Sequence, residues 1–243
     1  MAKRSYKRKK YRAATFNLNQ ILKSDPDSLK ALELRGDCFS RLGLDGPALA
    51  DYSRALSLKP KKTRVRFKRA CIYLEDQKFD LALKDLQPLT IEEPNNAKNW
   101  SKLAEVYRGK QRFTDALICY SKIVKIDPAD DRALKERGRL YQRLGKDAPA
   151  VADFSRSLEI NGDDSNAILS RGESYLKLGK LKKAIDDFSS AIKMGNPSAK
   201  PYLLRAKAYD KLGKHELAAK DRRSSKIDDF ALPFAKEKKS GSK

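Results

Sequence analysis

The sequence predicts an all-α solenoid built from helix-turn-helix repeats, and three observations predict it. A 34-residue period runs from Leu29 to Phe230 without an insertion. Small, aromatic and alanine residues recur at fixed places within that period. Each unit also holds two stretches whose apolar residues fall at helical spacing.

Ser165 to Ser198, SNAILSRGESYLKLGKLKKAIDDFSSAIKMGNPS, serves as the template when its residues are numbered 1 to 34. Position 8 is small in every copy: Gly36, Ala70, Ala104, Gly138, Gly172 and Ala206. Position 11 is aromatic throughout: Phe39, Tyr73, Tyr107, Tyr141, Tyr175 and Tyr209. Position 20 is always alanine: Ala48, Ala82, Ala116, Ala150, Ala184 and Ala218. In the template, apolar or small residues at 167, 168, 172, 175, 176 and 178 make one stripe of a first helix. Gly179 and its loop interrupt it, and Ala184, Ile185, Phe188, Ala191 and Ile192 make the stripe of a second. Small residues at positions 8 and 20 let paired backbones approach. Neither helix can bury its stripe alone, so neighbouring units must complete the core.

This pattern, with proline at position 32, resembles the tetratricopeptide repeat, over about Leu29 to Phe230. The resemblance implies a right-handed superhelix with a concave groove, and binding of protein or peptide partners rather than catalysis.

Taken in order, residues 1–12 form a basic segment with Lys3, Arg4, Lys7, Arg8, Lys9, Lys10 and Arg12 and no acid. Its core Lys7-Arg8-Lys9-Lys10 matches a short nuclear-import signal, against the plainer reading of a solvated basic tail. Residues 13–26 align with a second helix alone, a half-repeat whose first helix is missing. That leaves an apolar face for the basic segment to fold over, or for a longer array to cover. Six repeats follow at 29–62, 63–96, 97–130, 131–164, 165–198 and 199–230. Repeats 1 and 4 share Asp45/Pro47 and Asp147/Pro149, where the aspartate is expected to cap the second helix and the proline to fit its first turn. Arg222 and Ser225 replace the aromatic and small residues of repeat 6, the expected mark of a terminal unit. A tail at 231–243 follows, and Phe230, Leu232 and Phe234 are expected to cover the last helix pair.

Composition narrows the function. Net charge is +22, which favours acidic partners, nucleic acid or anionic surfaces. No apolar run approaches the roughly 20 residues of a membrane span, and the N-terminus lacks the apolar stretch of a secretory signal. Cys38, Cys71 and Cys119 form no Cys-x-x-Cys pair and read as reduced thiols, which points to the cytoplasm, with the nucleus as the alternative. His215 stands without companion ligands. No phosphate loop, metal-ligand cluster or nucleophile–base set occurs, so no catalytic residue, metal or cofactor is expected and the protein reads as a non-enzyme.

Two positions change together. Position 7 is arginine in five repeats (Arg35, Arg69, Arg137, Arg171, Arg205), and position 23 is aspartate in the same five (Asp51, Asp85, Asp153, Asp187, Asp221). Repeat 3 has Leu103 and Cys119 instead. The covariation predicts an ion pair within each repeat rather than an anion site built from the arginines.

By resemblance, positions 2, 5, 9, 12 and 13 of the first helices line the groove. Thirteen of these thirty positions are Lys or Arg and six are Asp or Glu, so the groove is net positive. The peptide-binding candidates are Lys30, Arg64, Phe67, Leu74, Lys98, Arg108, Arg132, Lys135, Arg139, Arg143, Leu169, Lys200 and Lys207, densest in repeat 4. Some family members clamp acidic chaperone tails with an asparagine at position 9. Here that position holds Asp37, Cys71, Glu105, Arg139, Glu173 and Lys207, so a chaperone-tail clamp is not expected. The reading is a scaffold that binds an acidic, partly apolar segment of a protein partner. Nucleic-acid (RNA) binding through the groove and tails is the alternative.

Overall fold

The computed structural model describes residues 2–196 and 198–231, with side chains for residues 10–196 and 198–225. Thirteen helices occur among them and no strand: α1 Ala2–Ser24, α2 Leu29–Leu42, α3 Asp45–Leu58, α4 Thr63–Glu75, α5 Phe79–Glu92, α6 Ala97–Gly109, α7 Phe113–Ile126, α8 Asp131–Arg143, α9 Asp147–Ile160, α10 Ser165–Lys177, α11 Leu181–Lys193, α12 Lys200–Lys211 and α13 His215–Ala231. The chain falls into two compact units, residues 1–122 and 123–243. In the first, α1 through α6 pack each on the next, and α4 also touches α6. In the second, α8 through α13 pack likewise, with α8 on α10 and α10 on α12. Helix on helix in series is the architecture of an all-α solenoid.

The turn inside each repeat is made at position 15, which is left-handed in all six: Gly43, Gln77, Gln111, Gly145, Gly179 and Gly213. Glycine suits that conformation because it has no Cβ; the two glutamines adopt it at φ 58° and 57°. The core is a ladder of alanines at position 20, every one fully buried, joined in five repeats by a buried side chain at position 24: Tyr52, Leu86, Tyr120, Phe154 and Phe188. Where position 24 is Tyr52, Phe154 or Phe188, position 8 is glycine. A Cβ on Gly36, Gly138 or Gly172 would lie 2.6, 2.9 or 2.7 Å from the ring. Where position 24 is Leu86, position 8 is Ala70. Repeat 3 combines Tyr120 with Ala104, so it is the close approach of the ring in these three repeats, not an aromatic at position 24 as such, that calls for glycine.

The arginine at position 7 is held at three points. Its Nε and Nη2 donate to both oxygens of the aspartate at position 23, at 2.8 and 2.6 Å for Arg35–Asp51 and 2.9 and 2.7 Å for Arg171–Asp187. Arg69–Asp85, Arg137–Asp153 and Arg205–Asp221 repeat this geometry. The remaining Nη1 reaches position 25 of the preceding unit: Asn19 from Arg35, Ser53 from Arg69, Ser155 from Arg171 and Ser189 from Arg205. Four of the guanidiniums also stand 5.8–6.0 Å over the position-11 ring one helical turn on. Position 25, which the sequence reading did not single out, is therefore the link from one repeat to the next.

Two expectations are corrected. The basic segment does not fold back as a cap: it is the first half of α1, continuous with the half-repeat to Ser24. The exposed face of that half-repeat shows what a first helix would cover. Ile21 is 49% exposed, whereas its equivalents Ala55, Leu89, Ile123 and Ala191 are buried. Asp45 and Asp147 do not cap. Each sits one residue inside its helix and makes no capping hydrogen bond; its charge instead favours the positive N-terminal end. The side chains of residues 2–9 and of Phe230, and all of Leu232 and Phe234, lie outside the described residues.

Two predictions follow from the packing. Arg171→Ala leaves a carboxylate that is mostly buried without its partner and should destabilise by about 3 kcal/mol in urea unfolding. The Arg171→Leu/Asp187→Cys pair, copying repeat 3, should recover most of that loss. Gly172→Ala should cost about 1 kcal/mol, because crowding against Phe188 outweighs the helix-propensity gain. In a Phe188→Leu background the same alanine should be neutral or stabilising.

Candidate peptide-binding groove

In the first unit, one open groove of about 430 Å³ brings together three of the predicted residues, Arg64, Phe67 and Lys98. The others lining it are Thr63, Lys68, Glu93, Asn96 and Asn99. Arg64 and Phe67 lie one turn apart on α4, and Lys98 opens α6 beside them. Phe67 is half-buried, so its ring forms an apolar floor that remains accessible. Arg64 is 77% exposed and only 3.6 Å from the nearest carboxylate, Glu33. Among the described residues Lys98 has no carboxylate partner.

The polar frame of this groove was not read from the sequence. Asn96 caps α6 through the amide of Lys98. Its side chain also donates to Glu93 at 2.8 Å, and the buried Asn99 donates to the same carboxylate at 3.0 Å. Hydrogen bonds from Asn96, Thr63 and Asn99 hold the Glu93 carboxyl below its ordinary pKa. The Pro-Asn-Asn run before α6 is the sequence signal for the cap; nothing in the spacing marks Asn99 as an inward group. Deeper in the first unit, Lys68 binds Glu33 at 3.3 Å and Asp37 at 2.7 Å, and Lys62 binds Glu33 at 3.0 Å. Partial burial would raise the Glu33 carboxyl, but these two lysines outweigh it and hold it low. The remaining candidates of this unit stand apart: Lys30 is exposed on α2, Leu74 is half-buried near the end of α4, and Arg108 is exposed near the end of α6.

In the second unit, two of the candidate cations of repeat 4 are engaged within the chain. Lys135 is not available to a ligand: its Nζ lies 2.7 Å from Asp131 and 2.8 Å from Asp164, and its side chain is 17% exposed. Ser157 donates to the other oxygen of Asp131 at 2.5 Å. Burial alone would raise both carboxyls. Lys135, with Ser157 at Asp131 and the Ala167 amide at Asp164, overrides it and holds both below the usual aspartate value. Leu169 is likewise withdrawn, 7% exposed within a core cluster with Ile168, Leu176, Phe188 and Ala208. Its position predicts a groove lining, but the neighbouring repeat covers it. Arg139 pairs with Glu136 at 2.6 Å while remaining half-exposed, and Lys200 reaches Glu173 at 2.5 Å. Arg132, Arg143 and Lys207 are exposed on α8 and α12. Repeat 4 therefore offers fewer free cations than its composition suggests.

No group of three or more His, Cys, Asp or Glu able to hold a metal occurs among the described residues, nor any helix long and apolar enough to cross a membrane.

Comparison with known proteins agrees with this architecture. The tetratricopeptide repeat family matches residues 67–131 and 169–222. A stretch of 91 residues is 25% identical to Hsp70-Hsp90 organizing protein 1 of Glycine max, covering 37% of this chain and only 16% of that protein. Among solved structures, the MamA protein superposes with a TM-score of 0.67 at 20% identity, over 74% of this chain and 98% of its own. A tetratricopeptide repeat protein from Parabacteroides merdae gives 0.61 at 24% identity, over 89% and 86%. The chain carries tetratricopeptide repeats over the matched residues. That places it among repeat scaffolds for protein–protein interaction.

Acidification should expose the Asp131–Lys135–Asp164 cluster. Both carboxyls titrate lower in the folded than in the unfolded chain, so their contribution is complete above about pH 4 and is lost as pH falls through the lowered values. Melting temperature should drop between pH 4 and pH 2, and Lys135→Met should shrink that drop.

Proposed function

We propose that this protein is a non-catalytic scaffold whose basic groove binds an extended acidic segment of a protein partner carrying a few apolar anchors. The observation that carries the reading is the groove at Arg64, Phe67 and Lys98. Two exposed cations flank a half-buried ring, so carboxylates and one apolar side chain can be met within a few residues of an extended chain. Coulomb attraction would speed encounter, and the apolar floor would set register. Arg132 and Lys207 offer further exposed cations in the second unit. The similarity to the Hsp70-Hsp90 organizing protein covers too little of that protein to carry its partners across, and the position-9 residues here do not include the clamp asparagine.

The net charge of +22 favours a second reading, nucleic-acid binding, which would show a steep salt dependence with little sequence preference. Fluorescein-labelled peptides alternating Glu-Asp pairs with Phe or Leu, and single-stranded RNA of mixed sequence, separate the two at two salt concentrations. The peptides should bind, more weakly as salt rises. Arg64→Glu/Lys98→Glu should lower their affinity tenfold or more, while Lys182→Glu/Lys183→Glu changes it little. Equal losses from the two double variants would remove the groove as the site, and tighter binding of RNA than of any peptide would favour the second reading.

A further inference from the structure

Repeat 3 is the one repeat that lacks the arginine–aspartate pair, and the seam it makes with repeat 2 differs from the others on every side. In repeat 1 the corresponding groove has Arg35 and Asp51 among its lining residues, with Lys23 and Arg54 at its edge. At repeat 3 the same register holds Leu103 and Cys119, both buried, as the floor of a groove of about 480 Å³. Its rims are Ile91, 80% exposed, and Ile118, 56% exposed, with Trp100 between the helices. Ile91 occupies position 29 of repeat 2 and Ile118 position 22 of repeat 3. The other five seams each place at least one charged residue at this pair of positions, from Lys23 at the first to Lys193 and Lys220 at the last. Floor and rim have thus turned apolar together, in a chain of which 35% is charged.

Packing alone does not call for this. Replacing the buried ion pair by Leu103 and Cys119 accounts for the floor, but neither exposed isoleucine fills a core position. The groove is also held in shape. Gln87 donates to the Tyr107 hydroxyl at 3.2 Å, Arg112 binds Asp115 at 2.9 Å and stands 4.9 Å over the Tyr107 ring, and the Trp100 indole donates to the Pro94 carbonyl at 2.8 Å. Burial raises the Cys119 thiol to about 12, so the floor is uncharged at neutral pH. Two exposed lysines without a carboxylate partner among the described residues lie on the same faces as the rim: Lys84, two turns before Ile91, and Lys122, one turn after Ile118.

We propose that this seam is a second docking site, for a partner segment that inserts one large apolar side chain between Ile91 and Ile118 and lays carboxylates toward Lys84 and Lys122. The apolar rim and floor supply the anchor pocket, and the two unneutralised lysines select an acidic rather than a basic or neutral flank. This site is separate from the Arg64–Phe67–Lys98 groove and stands whether or not that groove binds peptide.

The chain's single tryptophan, Trp100, lines the seam and reports on it. The probes are acetylated, amidated twelve-residue peptides with a central Leu, Phe or Ala between runs of Glu and Asp, titrated into the full chain. Trp100 fluorescence and peptide anisotropy should respond to the Leu or Phe peptide at least tenfold more tightly than to the Ala peptide. Ile91→Ser and Ile118→Ser change exposed side chains and should keep the helical circular dichroism, yet each should lose that preference. Leu103→Arg/Cys119→Asp, which restores the ionic pair, should also abolish it, whereas Arg64→Glu/Lys98→Glu should not. An equal response to the Leu, Phe and Ala peptides, or a response unchanged by both isoleucine variants, would overturn the proposal. So would concentration-dependent dimerisation in sedimentation that Ile91→Ser removes, since the face would then belong to a second copy of the chain.

Discussion

The guanidinium at position 7 does three jobs at once. Two of its N–H groups satisfy a nearly buried aspartate on the second helix of the same repeat. A third reaches a serine or asparagine on the preceding repeat, and its flat face lies over an aromatic ring on its own helix. A lysine could not replace it, since one ammonium cannot meet a carboxylate at two points and still reach a third acceptor. In a solenoid each unit relies on its neighbours for stability, so a residue that ties helix to helix and repeat to repeat serves the array as a whole. The pair still has to overcome the cost of removing two charges from water. Its repetition fits a role in holding register between neighbouring helices as much as in raising stability.

That commitment changes how the charge of the chain should be counted. A net charge of +22 suggests a surface crowded with free cations, and the five position-7 arginines are not among them. Lys62, Lys68 and Lys135 are likewise bound to carboxylates within their own units. Beside scattered exposed cations such as Lys30, Arg132 and Lys207, the two proposed sites would each use a local set: Arg64 and Lys98 around Phe67 in one, and Lys84 and Lys122 beside the isoleucine rim in the other. In both places the cations flank an apolar surface, so charge would guide a partner and burial would hold it.

Repeat 3 shows the same logic in reverse. Without its arginine, the link to repeat 2 is made by a glutamine–tyrosine hydrogen bond and apolar contact, and the seam becomes a pocket. The change at positions 7 and 23 is visible in the sequence. Its consequence depends on positions 22 and 29 of adjacent repeats, which come together only when the helices stack.

The period, the two helices of each repeat, the break between them at Gly179 of the template, and the arginine–aspartate partnership are legible in the residues alone. These rest on local conformational preference and on residues that vary together at fixed spacing, and both survive in one dimension. Only the tertiary structure decided which predicted ligands were free. Leu169 and Phe67 have the same position in their repeats, yet one is buried and the other opens onto a groove. Lys135 and Arg132 lie one turn apart on α8, yet Lys135 is held between two aspartates. A stripe on a helix states which face a residue occupies; whether that face meets solvent, a carboxylate or the next repeat is fixed by the helix that packs against it.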